Sequence, residues 1–257
     1  FASFDSNYMG LVQPDGALDH YDGNLRITDA NGNIVEDQVP TDKYLEIIAE
    51  ATEPWSYLKF PFIKRLGYPA GMYRVGPLAR LNLASKITTP QANAALREWK
   101  AGSPVRRSSF YYHWARLIEL LYALERIQEL LEDREICSTD IMINDRPANE
   151  QGVGVIEAPR GTLFHHYWVD RNGSIEKVNL IVATGHNNLA MNHAVLSVAK
   201  KYVKGNQLKE GMLNRVEAAI RCYDPCLSCS THAVGQMPLH VQLVAADGAI
   251  LNEVSRG

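Results

Sequence analysis

Two cysteines three residues apart, Cys226 and Cys229, with His232 three further on, form the densest cluster of metal-binding side chains in the sequence. Two thiolates at that spacing can address one centre where the intervening backbone turns, and Pro225 helps to fix the entry. Thiolate sulfur selects soft or borderline metals such as zinc, iron and nickel, and a nearby imidazole can add a nitrogen ligand. On spacing alone the pair could equally be half a zinc knuckle, a redox dithiol or two ordinary cysteines. A structural zinc site would need four ligands, and Cys222, Cys226, Cys229 and His232 supply one candidate set. Of the four cysteines, only Cys137 lies elsewhere. That clustering argues against a disulfide framework, which spreads its bridges, and favours a reducing, cytoplasmic setting.

The longer string Asp224-Pro225-Cys226-Leu227-Ser228-Cys229-Ser230-Thr231-His232, continuing to Gln236-Met237-Pro238, resembles the carboxy-terminal signature of nickel–iron hydrogenase large subunits. Its continuation is similar to the cytoplasmic bidirectional, NAD-linked group. A second segment, Glu157-Ala158-Pro159-Arg160-Gly161-Thr162-Leu163-Phe164-His165, resembles the family's E-A-P-R-G-x-L-x-H run. A third, Val75-Gly76-Pro77-Leu78-Ala79-Arg80, is similar to a family segment taken as structural.

The resemblance implies a nickel–iron centre with carbon monoxide and cyanide ligands. Cys226 would be a terminal nickel ligand, Cys229 a bridge between nickel and iron, and His232 a ligand of a nearby magnesium or iron. Arg160, with Pro159 beside it, would lie over the metal pair and contact the cyanides. A guanidinium suits that role because it presents fixed donors to anionic groups. Thr184 falls where the family places a cyanide-binding hydroxyl, although Ala183 stands where the family usually has proline. Asn187, Asn188 and Asn192 read as polar packing near the site, and Asn187 or Asn188 equally as a helix cap.

Two departures qualify the resemblance. The family's amino-terminal C-x-x-C is absent, so half the thiolate set is missing and the chain is expected to be inactive alone, with no native metal centre. The sequence also continues past His232, where the family's mature subunit ends after proteolysis. Residues 1–232 are therefore expected to be the carboxy-terminal part of a catalytic domain, and residues 233–257 a retained pro-segment. The absence of an initiator methionine suggests that the natural chain begins upstream. The expected partners are an iron–sulfur small subunit, diaphorase subunits, a maturation endopeptidase and metallochaperones. The competing readings are a non-catalytic hydrogenase-like structural subunit and a zinc-stabilised interaction domain.

The whole chain supports this. With 257 residues, 26 basic and 29 acidic side chains, it is too balanced for a phosphate-backbone binder, and no nucleic-acid partner is expected. Its apolar runs are far short of the roughly 20 residues of a membrane helix. Gly152-Val153-Gly154 lacks the third glycine and the helix of a dinucleotide fingerprint. In the group it resembles, the nicotinamide site belongs to a separate subunit, so none is expected here.

The elements that must hold the cluster read as α+β: a helix-rich core, small antiparallel sheets and a carboxy-terminal β-hairpin. Residues 24–28 and 32–36 form a hairpin across Asn31-Gly32, and a short helix covers residues 42–51. Residues 55–80 read as a buried, irregular connection. Thr89 caps a helix with Pro90 at its first position, closed by Gly102. Ser109 opens a longer helix whose apolar face, Tyr112, Leu117, Leu120, Leu121, Leu124, Ile127 and Leu131, packs on the core while Arg116, Glu119, Glu125, Arg126 and Glu132 face water. Strands follow at 154–158, 161–169 and 174–183, helices at 188–204 and 209–222, and strands at 239–245 and 249–254.

Overall fold

A computed structural model describes residues 1–142, 149–226 and 239–256. The fold is α+β, with seven α-helices and four small sheets among the described residues. Strand β1 (Asn7–Val12) pairs antiparallel with β2 (Asn24–Thr28), which pairs with β3 (Ile34–Val39). The expected hairpin is thus present, turning through Gly32 at φ +88°, a conformation open to glycine.

The next stretch departs from expectation. Helix α1 is a single turn, Tyr44–Ile47, and residues 48–53 form strand β4 (Ile48–Glu53), paired antiparallel with β5 (Ser56–Ile63). Ala and Glu favour helix there, but cross-strand pairing with Phe60 and Phe62 decides the outcome. Residues 55–80 are therefore largely regular: β5, the short β6 (Tyr73–Arg74) parallel to β1, and α2 (Pro77–Leu83), every residue of which is buried.

Helix α3 (Pro90–Ala101) begins at Thr89 as expected, yet the Thr89 side chain makes no capping bond. The Glu125 carboxylate caps it instead, accepting from Gln91 N and Ala92 N at 2.9 Å each. Negative charge at a helix amino terminus meets the unpaired N–H groups and the positive end of the dipole.

Helix α4 (Tyr111–Glu132) lacks Gly and Pro and is rich in Leu, Ala, Glu and Arg, which favours helix over its whole length. It buries Tyr112, Ala115 and Ile118. The leucine stripe expected to pack inward faces out, Leu117 being 64% and Leu131 69% exposed. At about 100° per residue, Tyr112, Ala115, Ile118 and Glu119 fall on the side opposite Leu117, Leu120, Leu124, Ile127 and Leu131. Periodicity reveals both stripes but not which one meets the body.

Beyond α4, β7 (Gln151–Ala158), β8 (Gly161–Val169) and β9 (Ile175–Ile181) form an antiparallel sheet. Helices α5 (Ala183–His186), α6 (Asn188–Tyr202) and α7 (Glu210–Arg221) follow, then the hairpin of β10 (Leu239–Val244) and β11 (Ile250–Arg256). Two apolar cores result. Leu78, Leu81, Trp99, Tyr112, Ala190 and Ala219 join the helices. Leu11, Ile27, Tyr44, Tyr73, Val75 and Phe164 join the sheets. No described helix is long and apolar enough to cross a membrane.

Candidate metal centre

Arg160 sits on the two-residue turn between β7 and β8, where Ala158 pairs with Gly161. The turn rests on a buried ion-pair nest. Arg80 Nη1 donates to Glu157 Oε2 at 2.7 Å and to the Ala158 carbonyl at 2.9 Å, and Nη2 donates to the Pro159 carbonyl at 3.3 Å. On its other edge, Arg80 Nε and Nη2 each donate to Glu119 at 2.6 Å. Burial opposes charge on Arg80, but Glu119 and Glu157 outweigh it and hold the guanidinium above its usual range. Burial pushes the Glu157 carboxyl up, and Arg80 with Thr162 pulls it back only in part. Leu11 N and Thr162 Oγ1 complete the donor set on Glu157 Oε1.

The backbone is as tightly held as the charges. Gly76 has φ +90°, and a Cβ there would meet the Arg160 carbonyl oxygen at 2.6 Å. Gly161 has φ +138°, and a Cβ there would overlap Val75 Cγ2. The V-G-P-L-A-R and E-A-P-R-G segments therefore interlock at their glycines. Asn187 adds a third strap: its Oδ1 accepts from Val75 N at 3.0 Å, while Asn188 Nδ2 donates to the Lys59 carbonyl at 3.0 Å. Neither side chain caps a helix end, so of the two readings polar packing is the one observed.

Thr184 lies in the single-turn helix α5, is buried, and accepts from Cys226 N–H through Oγ1 at 3.2 Å. As an acceptor it keeps its own O–H to donate elsewhere. Sequence reasoning missed His186, which is fully buried and sits two residues on, its Nδ1 2.5 Å from Tyr73 Oη. Burial pushes His186 down to about 3, so the ring is neutral, and burial holds the Tyr73 phenol beside it well above its usual range. Its only sequence signal was a histidine inside an otherwise small-residue turn.

The segment entering the cysteine motif is anchored from three sides. Arg116 donates to the Cys222 carbonyl at 3.1 Å, and Tyr223 Oη lies 3.1 Å from Ser109 Oγ. Asp224 takes φ +51°, and its carbonyl accepts from Arg160 Nε at 2.5 Å, with its carboxylate 3.3 Å from the same nitrogen. Arg160, Thr184 and Cys226 thus meet along residues 224–226. Pro159 is exposed and contributes its carbonyl to Arg80. Cys229 and His232 lie outside the described residues.

Cys222 does not join the cluster. Its thiol is buried, donates back to the Ala218 carbonyl at 3.1 Å, and is pushed by burial up to about 11. A buried sulfur bonded to its own helix argues against the four-ligand zinc alternative. Cys137 is exposed on a turn beyond α4. Among the described residues, no group of three or more His, Cys, Asp or Glu side chains could hold a metal.

A family model described as nickel-dependent hydrogenase matches residues 20–232, and the chain belongs to that family. It is 45% identical over its whole length to the NAD-reducing hydrogenase HoxS subunit beta of Cupriavidus necator, of which it covers 53%. It is also 45% identical, over 90% of its length, to a subunit of the F420-non-reducing hydrogenase of Methanothermobacter thermautotrophicus, of which it covers 49%. A crystal structure of an NAD+-reducing NiFe hydrogenase in the H2-reduced state superposes with TM-score 0.84 at 46% identity, covering 90% of this chain and 51% of that one. The chain thus spans about half the length of the curated relatives it matches.

Proposed function

We propose that this chain is the carboxy-terminal half of the large subunit of a nickel–iron hydrogenase that oxidises H2 reversibly and passes the electrons toward NAD(P) through partner subunits. The observation that carries the reading is the meeting of Arg160, Thr184 and Cys226 on residues 224–226. Cys226 is in a disulfide here, and once that bond is reduced to the thiolate the donor set fits a nickel–iron centre: a sulfur ligand, a buried hydroxyl with a proton to donate, and a cation at the rim. Cys226 and Cys229 would hold the metals and His232 a magnesium or iron. When bound, the centre supplies a Lewis acid beside thiolate bases, which separates hydrogen into hydride and proton.

The protein's own residues set the frame. Asp224 fixes Arg160 through Nε, so both terminal nitrogens can address anionic ligands such as cyanide on the iron. Thr184 positions the Cys226 backbone while offering its O–H to a second cyanide. Arg80 and the glycine interlock hold the turn so that neither donor has to reorganise, which is where preorganised electrostatics gain their advantage. Carbon monoxide is expected to complete the iron's ligands.

Electrons would leave through an iron–sulfur small subunit to diaphorase subunits, in a cytoplasmic complex. We further propose that residues 233–257 are a pro-segment, removed by a maturation endopeptidase after metallochaperones have loaded the site. The β10–β11 hairpin supports this, since a folded appendage can be cut away without dismantling the body.

The test is hydrogen-dependent NAD(P) reduction by the full-length parent complex. Uptake with stoichiometric nickel is expected, with a loss of ~10²-fold or more in Arg160→Lys. A nickel-loaded parent without hydrogen uptake would overturn the reading. The chain by itself should hold neither stoichiometric nickel nor activity, and metal analysis of the purified chain checks that. Mass spectrometry of metal-loaded precursor treated with the endopeptidase should show cleavage between His232 and Ala233. An intact product would sink the pro-segment.

A further inference from the structure

Helix α4 carries a second apolar stripe that the described structure leaves uncovered. Leu117, Leu120, Leu124, Ile127 and Leu131 are each more than half exposed and follow spacings of three, four, three and four. That is the spacing of a seam for another helix, since a repeat averaging 3.5 residues keeps one face toward a partner across two heptads. A sheet or a loop would not demand it. The stripe cannot be surplus core, because the opposite face of α4 already packs Tyr112, Ala115 and Ile118 inward.

Two observations indicate what covers the seam. First, the chain accounts for only 53% of the C. necator relative and 51% of the superposed crystal chain, so about half of a comparable subunit lies outside it. Second, the chain's first residue sits at the start of this helix. The rings of Phe1 and Phe110 meet edge to face at 6.0 Å, and Ser108 Oγ donates to the Phe1 carbonyl at 2.6 Å. Polypeptide preceding Phe1 in a longer subunit would arrive beside the first turn of α4, from which a helix can run along the seam. The same helix holds Glu119 against Arg80 and Arg116 against the Cys222 carbonyl. A helix docked on its outer face would therefore be fixed, through α4, to the scaffold of residues 222–226.

We propose that the outer stripe of α4 is the docking seam for a helix from the amino-terminal half of the same large subunit, packed at the shallow crossing angle of knobs-into-holes pairs. This rests on the reading of the chain as half of a longer subunit. It does not rest on hydrogen chemistry.

The experiment is site-specific photocrosslinking in the full-length parent complex. p-Benzoylphenylalanine replaces Leu120, Leu124 or Leu131, all exposed here, so that the substitutions leave this half's core intact. Glu129, exposed on the other side of the same helix, serves as the polar control. After irradiation, mass spectrometry should find the three seam positions joined to helical peptides amino-terminal to Phe1 in the same polypeptide, at least tenfold over Glu129. Crosslinks to the small subunit, to a second copy of the large one, or to nothing above the control would each overturn the proposal. Hydrogen uptake is measured on the same unmodified complex. Crosslinks in a parent without uptake would leave the seam standing while the activity falls, and the converse result would do the reverse.

Discussion

The turn that carries Arg160 and the hairpin at the end of the chain begin from similar sequence: two short antiparallel strands closed by a tight turn. They are held in opposite ways. Under the β7–β8 turn lie Arg80, Glu119 and Glu157, two glycines in backbone contact and straps from Asn187 and Thr162. The β10–β11 hairpin forms a sheet of its own, with Val244, Ile250 and Leu251 exposed, and meets the body where Leu208 N–H donates to Asn252 Oδ1 at 2.9 Å. A ladder alone gives shape. Precision of position comes from what is packed beneath it, and among the described residues the first ladder has far more of that.

The largest break in the comparison is Arg80→Met. It leaves Glu119 and Glu157 without their shared cation in a buried setting, and a loss of about 3–5 kcal/mol in unfolding free energy by denaturant titration is expected. A loss below 1 kcal/mol would mean the nest does not anchor the turn. Gly161→Ala comes next. The strained φ and the clash with Val75 should cost about 1–3 kcal/mol, read as a lowered thermal midpoint.

Acid sharpens the contrast, because the nest side holds a half-buried histidine whose Nδ1 is shut off from solvent. His20 stacks on Tyr122 with its ring nearly parallel, and burial, aided by Arg80, lowers it to about 4. Its folded value lies below the usual 6.5, so between pH 6.5 and about 4 the unfolded chain binds a proton that the folded chain refuses. Stability should therefore fall as pH drops through that window, by at most about 1.4 kcal/mol per pH unit for one such group. His20→Gln should flatten the slope, and an unchanged slope in denaturant titrations at pH 6.5 and pH 4.5 would refute the assignment.

Thr184→Val removes the acceptor of the Cys226 amide and should cost about 0.5–1.5 kcal/mol, with faster hydrogen exchange at that amide. The smallest effect belongs to the hairpin. Gly248 has φ +89° and open space around its Cβ position, so Gly248→Ala should loosen exchange within β10 and β11 while leaving the thermal midpoint of the body unchanged. A fall in that midpoint comparable to that of Gly161→Ala would erase the difference between the two ladders.

The sequence revealed much of this, but unevenly. Turn and cap signals placed the β2–β3 hairpin, α3, the β7–β8–β9 sheet and the terminal hairpin within a few residues, because Gly, Pro and Asp act locally. Strands β4 and β5 were illegible, since Ala49 to Ala51 prefer helix until a partner strand is supplied. Family resemblance singled out Arg160, Thr184 and Cys226, which the fold brings to one stretch of chain. Arg80 was seen only as part of a structural motif, and Glu119 was assigned to the solvent side of α4. Their partnership joins residues 39 and 77 positions apart, a separation no local pattern reports. His186 escaped for the same reason: its partner, Tyr73, lies 113 residues away.

The contact of Gly76 with the Arg160 carbonyl has a bearing on how this scaffold could be engineered. Stabilising an enzyme commonly trades against activity, because reactive groups are held in arrangements the fold would rather relax. Here the guanidinium's placement is a by-product of cohesion itself. Substitutions that tighten the packing around Val75 and Phe164 should make the position of Arg160 more exact as well as the fold more heat-resistant, so durability and the proposed role can be selected together.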